Sequence, residues 1–179
     1  NMKLNQKDKA RNDFTKAVTF DQSFVIGYNN LGLLHLSENN MVEAEEYFTT
    51  AMKIDPDFVE AYINRGNLFF GQENYEEAVE DFEKAIELYE KGKEVSNDKI
   101  LFAYDLIRLY SLTMQFENAA REYCFILRSD PTQLQAVELR VFENINRPGA
   151  LDATLKFVED CADKNIISFS YNNRAVGYG

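Results

Sequence analysis

The chain has 179 residues, of which 45% are apolar, and a formal net charge of -11. Such a composition excludes a disordered chain, and so acidic a balance argues against nucleic acid or an anionic membrane as partner, because phosphates would be repelled at long range. No stretch approaches the roughly 18 apolar residues that cross a bilayer, so no membrane insertion is expected, and the first residues lack the apolar core of a signal peptide. Cys124 and Cys161 are too few for a disulfide framework or a metal site and fall in apolar helical patterns, which predicts two plain buried thiols.

Hydrophobic periodicity predicts helices over 7–20, 25–37, 41–53, 58–71, 75–93, 98–113, 116–129, 132–146 and 149–164, with another beginning at 168. Residues 1–6 align with the end of an earlier helix, since Met2 stands 34 positions before Leu36. A fixed period dominates this pattern. Tyr28, Leu31, Gly32, Ala44, Phe48, Ala51 and Pro56 form a reference set. A step of 34 forward gives Tyr62, Gly66, Ala78, Phe82 and Ala85, and a step of 34 back gives Ala10, Phe14 and Ala17. After Ala85 the register slips by seven, so that Ala78 maps to Ala119 and Phe82 to Tyr123, then on to Ala153 and Phe157. Tyr171, Asn172 and Asn173 repeat Tyr28, Asn29 and Asn30, as though a further repeat opens there.

Small residues at Gly32, Ala44, Gly66 and Ala78 let two helices approach closely, with the aromatics filling the space beside them. Pro56 and Pro131 cannot continue a helix and so separate one unit from the next. One helix pair cannot bury both its faces, so stability must come from stacking neighbours. The seven inserted residues, near Lys91 to Asp98, equal about two helical turns and are expected to lengthen the second helix of one pair and the first of the next. The hairpin so formed would carry a basic, solvated tip of Lys91, Lys93 and Lys99.

This set of residues resembles the tetratricopeptide-repeat family, whose 34-residue unit is a pair of antiparallel helices. The resemblance implies an all-α, right-handed superhelical solenoid. Its units would be a partial repeat over 1–24, repeats over 25–58, 59–97, 98–133 and 134–167, and the start of another, or a capping helix, over 168–179. The last two full units depart from the pattern, with Ile107 and Val141 at the small position and Asp160 at the second alanine. The chain is then expected to be an excerpt from a longer array.

Little points to catalysis. His35 is the only histidine and lacks the companions of a triad or a metal site, so it is read as packing at a position where the family places a core aromatic. No nucleophile elbow, phosphate-binding glycine loop or zinc-protease motif occurs. Adjacent pairs such as Glu45 with Glu46 and Glu76 with Glu77 diverge on a helix and read as solvated faces. The chain is therefore expected to be no enzyme and to need no cofactor or metal.

What the resemblance implies instead is a concave groove lined by the first helix of each pair. The matching positions are Asn29, Asn30, Leu33 and Leu36, then Ile63, Asn64, Asn67 and Phe70. Tyr104, Asp105 and Arg108 follow, then Glu138 and Phe142, then Asn172 and Asn173. An asparagine amide can both donate to a carbonyl and accept from an N–H, which suits the backbone of an extended peptide. Asn30, Asn64 and Asn173 occupy equivalent positions, similar to the asparagine ladder of the repeat half of O-linked N-acetylglucosamine transferase, although Asp105 and Leu139 interrupt it. The same asparagines would also serve as turn formers or helix packing. Carboxylate-clamp members of the family use lysines and an arginine where this chain has Asn29, Leu33, Asn64, Leu101 and Asp105, which disfavours a free acidic tail.

The expected function is a scaffold that holds an extended or helical segment of another protein. The alternative is a regulatory or substrate-docking arm of an enzyme whose catalytic domain lies elsewhere. Self-association through an unfinished end near Ser168 is a third expectation. The expected compartment is the cytoplasm, with the bacterial periplasm as alternative.

Overall fold

A computed structural model of the chain describes residues 2–130, with side chains from residue 6 onward. Seven helices and no strand occur among the described residues: α1 (Met2–Phe20), α2 (Val25–Leu36), α3 (Met41–Ile54), α4 (Val59–Gly71), α5 (Tyr75–Val95), α6 (Lys99–Leu112) and α7 (Phe116–Ser129). The units expected over 134–167 and 168–179, the later part of 98–133, and the open end near Ser168 lie outside these residues. The chain divides after Leu88 into two compact units, and helix α5 carries the boundary.

In the first unit, α1 is a single helix from Met2, where the spacing predicts the end of one helix over 1–6 and the start of another at 7. No glycine or proline interrupts residues 2–20, so nothing in the local chemistry ends the helix there. Lys7 donates to the Ser37 hydroxyl at 2.9 Å and Arg11 pairs with Glu38, which fastens α1 to the end of α2.

The periodic small residues and aromatics form the core as pairs. Ala44, Phe48 and Ala51 are fully buried, as are Ala78, Phe82 and Ala85. A Cβ added at Gly32 would stand 2.6 Å from the Phe48 ring, and one at Gly66 would stand 2.7 Å from the Phe82 ring. Each aromatic thus lies directly against the glycine of its partner helix, and any larger residue there would displace the ring. Asp55 and Pro56 separate α3 from α4. The Asp55 carboxylate accepts the Asp57 N–H at 3.0 Å, and the Tyr62 hydroxyl donates to the Pro56 carbonyl at 3.2 Å.

The turns inside the hairpins share one geometry. Asn39, Glu73 and Met114 all have positive φ, at 66°, 64° and 59°. They are spaced by 34 and then 41 residues, as the aromatics are. In each case the next N–H reaches back five residues: Asn40 to the His35 carbonyl, Asn74 to Phe69 and Gln115 to Tyr110. This is the hydrogen-bond pattern of a Schellman stop, which satisfies carbonyls left open at a helix end. The His35 ring lies 5.1 Å from that of Tyr47, centroid to centroid, and so packs beside an aromatic of α3.

In the second unit, Ala103, Ile107, Tyr123, Ile126 and Leu127 make the core between α6 and α7, with Ile100, Tyr104 and Phe125 against it. Ile107 stands where the earlier repeats have glycine, and it is accommodated beside Tyr123. The end of α5 joins this unit through Tyr89, whose ring meets Phe102 edge-on at 5.8 Å.

Two expectations about this region are corrected. Helix α5 has 21 residues against 14 in α3, so the seven extra residues all lengthen this second helix, while α6, with 14 residues, is only one longer than α4. Lys93 is not at a solvated tip: its ammonium pairs with Glu122 and sits 4.2 Å from the centre of the Phe125 ring. The lengthened helix brings that side chain onto α7, where an aromatic face and a carboxylate hold it. A third correction concerns sulfur. Cys124 is buried and disulfide-bonded, not a plain thiol. The other cysteine of the sequence, Cys161, lies outside the described residues.

Candidate partner-binding surface

Positions equivalent by the 34-residue step put Asn29, Leu33 and Leu36 on one stripe of α2, and Ile63, Asn67 and Phe70 on the matching stripe of α4, in each case at i, i+4 and i+7. A hydrogen bond joins the two helices at this level: the Asn64 amide donates to the Asn29 amide oxygen at 2.9 Å. Asn29 is only 6% exposed and Ile63 is also buried, so these two side chains support the surface from beneath. Asn30, Leu36 and Asn64 are half-buried. Leu33 and Phe70 stand out at 38% and 42% exposed, and Asn67, the repeat equivalent of Leu33, is exposed as well. The Phe70 ring leans edge-on against Tyr75 at 5.4 Å, which fixes its position at the end of the stripe.

Sequence reasoning missed two members of this surface. Ile26 is half-exposed and Glu60 is exposed, and they stand seven residues before Leu33 and Asn67. Seven residues is two helical turns, so stepping back from Leu33 and Asn67 along each helix finds them.

Reasoning from sequence also missed the strongest polar contact of the unit. Arg65 and Asp81 occupy the positions held by Leu31 and Tyr47 one repeat earlier. Arg65 Nε and Nη2 donate to the two carboxylate oxygens of Asp81 at 2.8 and 2.7 Å, and Nη1 donates to the Thr49 hydroxyl at 3.0 Å. The hydrogen bond to Asp81 raises the Arg65 pKa above its ordinary value, against the opposing effect of burial. The guanidinium also lies 5.6 Å from the Phe69 ring centre. This cation is therefore engaged between α3, α4 and α5 and is absent from the exposed stripe.

In the second unit, Tyr104 and Asp105 are half-buried and Arg108 is exposed on α6. Tyr104 packs on the α6–α7 core. No ion pair joins Arg108 to Asp105 among the described residues. Glu138, Phe142, Asn172 and Asn173 lie outside them.

Among the described residues, no three or more His, Cys, Asp or Glu side chains are grouped to hold a metal ion, and no helix is long and apolar enough to cross a membrane. The family profile for the tetratricopeptide repeat matches residues 25–58 and 59–91. Residues 25–91 are tetratricopeptide repeats. Among solved structures, BtubC from P. vanneervenii is similar at 18% identity over 95% of this chain and 76% of that one, with a TM-score of 0.59. MamA is similar at 19% identity over 88% of this chain and 90% of that one, with a TM-score of 0.49. YrrB, a tetratricopeptide-repeat protein with an unusual peptide-binding site, is similar at 20% identity over 89% and 97%, with a TM-score of 0.39. The first of these shows a shared fold. No curated protein matches the sequence significantly. Tetratricopeptide repeats are in general protein-interaction modules without catalytic chemistry, and α2 and α4 are the first helices of the two matched here.

Proposed function

We propose that residues 25–88 hold an extended segment of a partner protein along the stripe shared by α2 and α4. The observation that carries this reading is the Asn64 to Asn29 hydrogen bond. It joins two equivalent first helices, along which Leu33, Asn67 and Phe70 are exposed and Asn30 is half-buried. Amides there can serve a peptide backbone in both directions, while Leu33 and Phe70 offer apolar area worth about 25 cal/mol per Å² covered. On this reading the chain is a scaffold and not an enzyme.

The test is to place a photoreactive amino acid at position 67, or at Glu46 on the exposed face of α3, and to identify cross-linked peptides in an extract of the source cells. One recurrent segment captured from position 67 and not from position 46 is expected. Equal capture from both, or loss-free capture after Leu33→Ala with Phe70→Ala, would remove the stripe from consideration.

The disulfide at Cys124 bears on the compartment. Lasting disulfides are rare where glutathione and thioredoxin keep thiols reduced, so this bond favours the periplasmic alternative over the cytoplasm. Its presence on a non-reducing gel of protein taken directly from cells is the check.

A further inference from the structure

Charge is distributed unevenly along this chain, and the unevenness falls on the proposed surface. Residues 25–88 carry fourteen acidic and three basic side chains, a net of -11 that equals the net charge of all 179 residues. The rest of the chain is balanced. Of the three cations, Arg65 is held by Asp81, while Lys53 and Lys84 lie on α3 and α5, the second helices of the two pairs. On the α2–α4 stripe itself there is no cation, and the one charged residue is Glu60. Glu60 is exposed, two turns before Asn67 on the same face of α4, and has no hydrogen bond or ion pair with any described residue.

We infer that the segment held along α2 and α4 is cationic with an apolar anchor: a lysine or arginine answers Glu60, and an apolar side chain lies against Leu33 and Phe70. The inference rests on the peptide-holding reading above and names the chemistry of the occupant. A segment of opposite charge is drawn in at long range by the net field of the two repeats, whereas an acidic one meets repulsion with no cation on the stripe to relieve it. Apolar contact at Leu33 and Phe70 then supplies most of the affinity, because a single exposed ion pair contributes little. Glu60 also lies in the first turn of α4, where a carboxylate favours the helix dipole, so its removal must be separated from a change in folding.

The experiment is to pan a random-peptide display library on the immobilised full chain, then to measure the enriched peptides by fluorescence anisotropy at low and high salt. Enrichment of lysine or arginine beside an apolar residue is expected. Binding should weaken with salt, by about three- to fivefold with Glu60→Gln, the effect of an exposed ion pair, and be restored by Glu60→Asp. Thermal melts of Glu60→Gln should keep a single cooperative transition close to that of the native chain, which separates lost binding from lost folding. Enriched peptides with no charge bias that are still lost with Phe70→Ala would overturn the cationic inference and leave the surface in place. Enriched peptides indifferent to Phe70→Ala and Leu33→Ala, or no enrichment at all, would overturn the surface reading and this inference together.

Discussion

The Arg65–Asp81 pair gives the sharpest test of how these repeats are held together. The Asp81 side chain is 5% exposed and receives two hydrogen bonds from a guanidinium that is 22% exposed. Asp81→Ala leaves that guanidinium with two open donors in the space between α4 and α5. Breaking a fully buried pair costs about 3 to 5 kcal/mol, and the partial reach of Arg65 to water lowers the expectation to about 3 kcal/mol. The preceding repeat shows an apolar solution at the same positions, Leu31 and Tyr47. Arg65→Leu combined with Asp81→Tyr should therefore recover stability to within about 1 kcal/mol of the native chain, since a buried pair often does no better than well-packed residues of similar volume. Urea unfolding followed by circular dichroism of the native chain, Asp81→Ala and the Leu and Tyr double variant gives the three stabilities to be compared. A cost below about 0.5 kcal/mol for Asp81→Ala, or a double variant weaker than the single one, would refute the reasoning.

Other consequences follow from the core, the turns and the second unit. Gly66→Ala should destabilise by about 1 kcal/mol, because crowding of the Phe82 ring costs about 1 to 3 kcal/mol and outweighs the roughly 1 kcal/mol that alanine gains in a helix. A stabilised variant in the same urea assay would place that ring elsewhere. Met114→Gly should raise stability by about 1 kcal/mol, since Met114 is exposed and sits at positive φ, where a side chain is penalised. Thermal unfolding measures it, and a lower midpoint would contradict the turn geometry. Burial and the hydrogen bond donated to Glu90 hold the Tyr110 phenol well above the ordinary tyrosine pKa. Its contribution to stability is thus complete below the unfolded value, near 10, and is lost as pH rises through the folded value. Tyr110→Phe should cost about 2 kcal/mol at neutral pH and lessen the alkaline loss seen in denaturation at graded pH.

The sequence made legible whatever depended on recurrence. Gly32 with Phe48 and Gly66 with Phe82 stand out because the same two side chains recur 34 residues on, and the structure packs each ring on its glycine. Helix α7 begins and ends at the predicted residues, bounded by a turn residue in register and by the proline at 131. Unique features were not legible. Arg65 and Asp81 break the pattern of their repeat, and a charge in a core column reads as a solvated one until its partner, sixteen residues away, is seen to face it. Glu73 and Met114 carry no hint of positive φ, since neither is glycine or asparagine. Lys93 was hidden because its binding site, Glu122 and Phe125, is made only when α5 runs on to Val95. The expected surface shows both outcomes: its register follows from the period, but the use of Asn29 as an internal acceptor depends on how closely α2 and α4 approach.

The most direct measurement is a titration of the segment recovered by cross-linking into isotope-labelled chain, followed through the asparagine side-chain amide signals by nuclear magnetic resonance. The signals of Asn30, Asn64 and Asn67 should shift together with a single saturation curve while those of Asn12, Asn97 and Asn118 stay fixed. Shifts at the latter three with none on α2 and α4 would contradict the account.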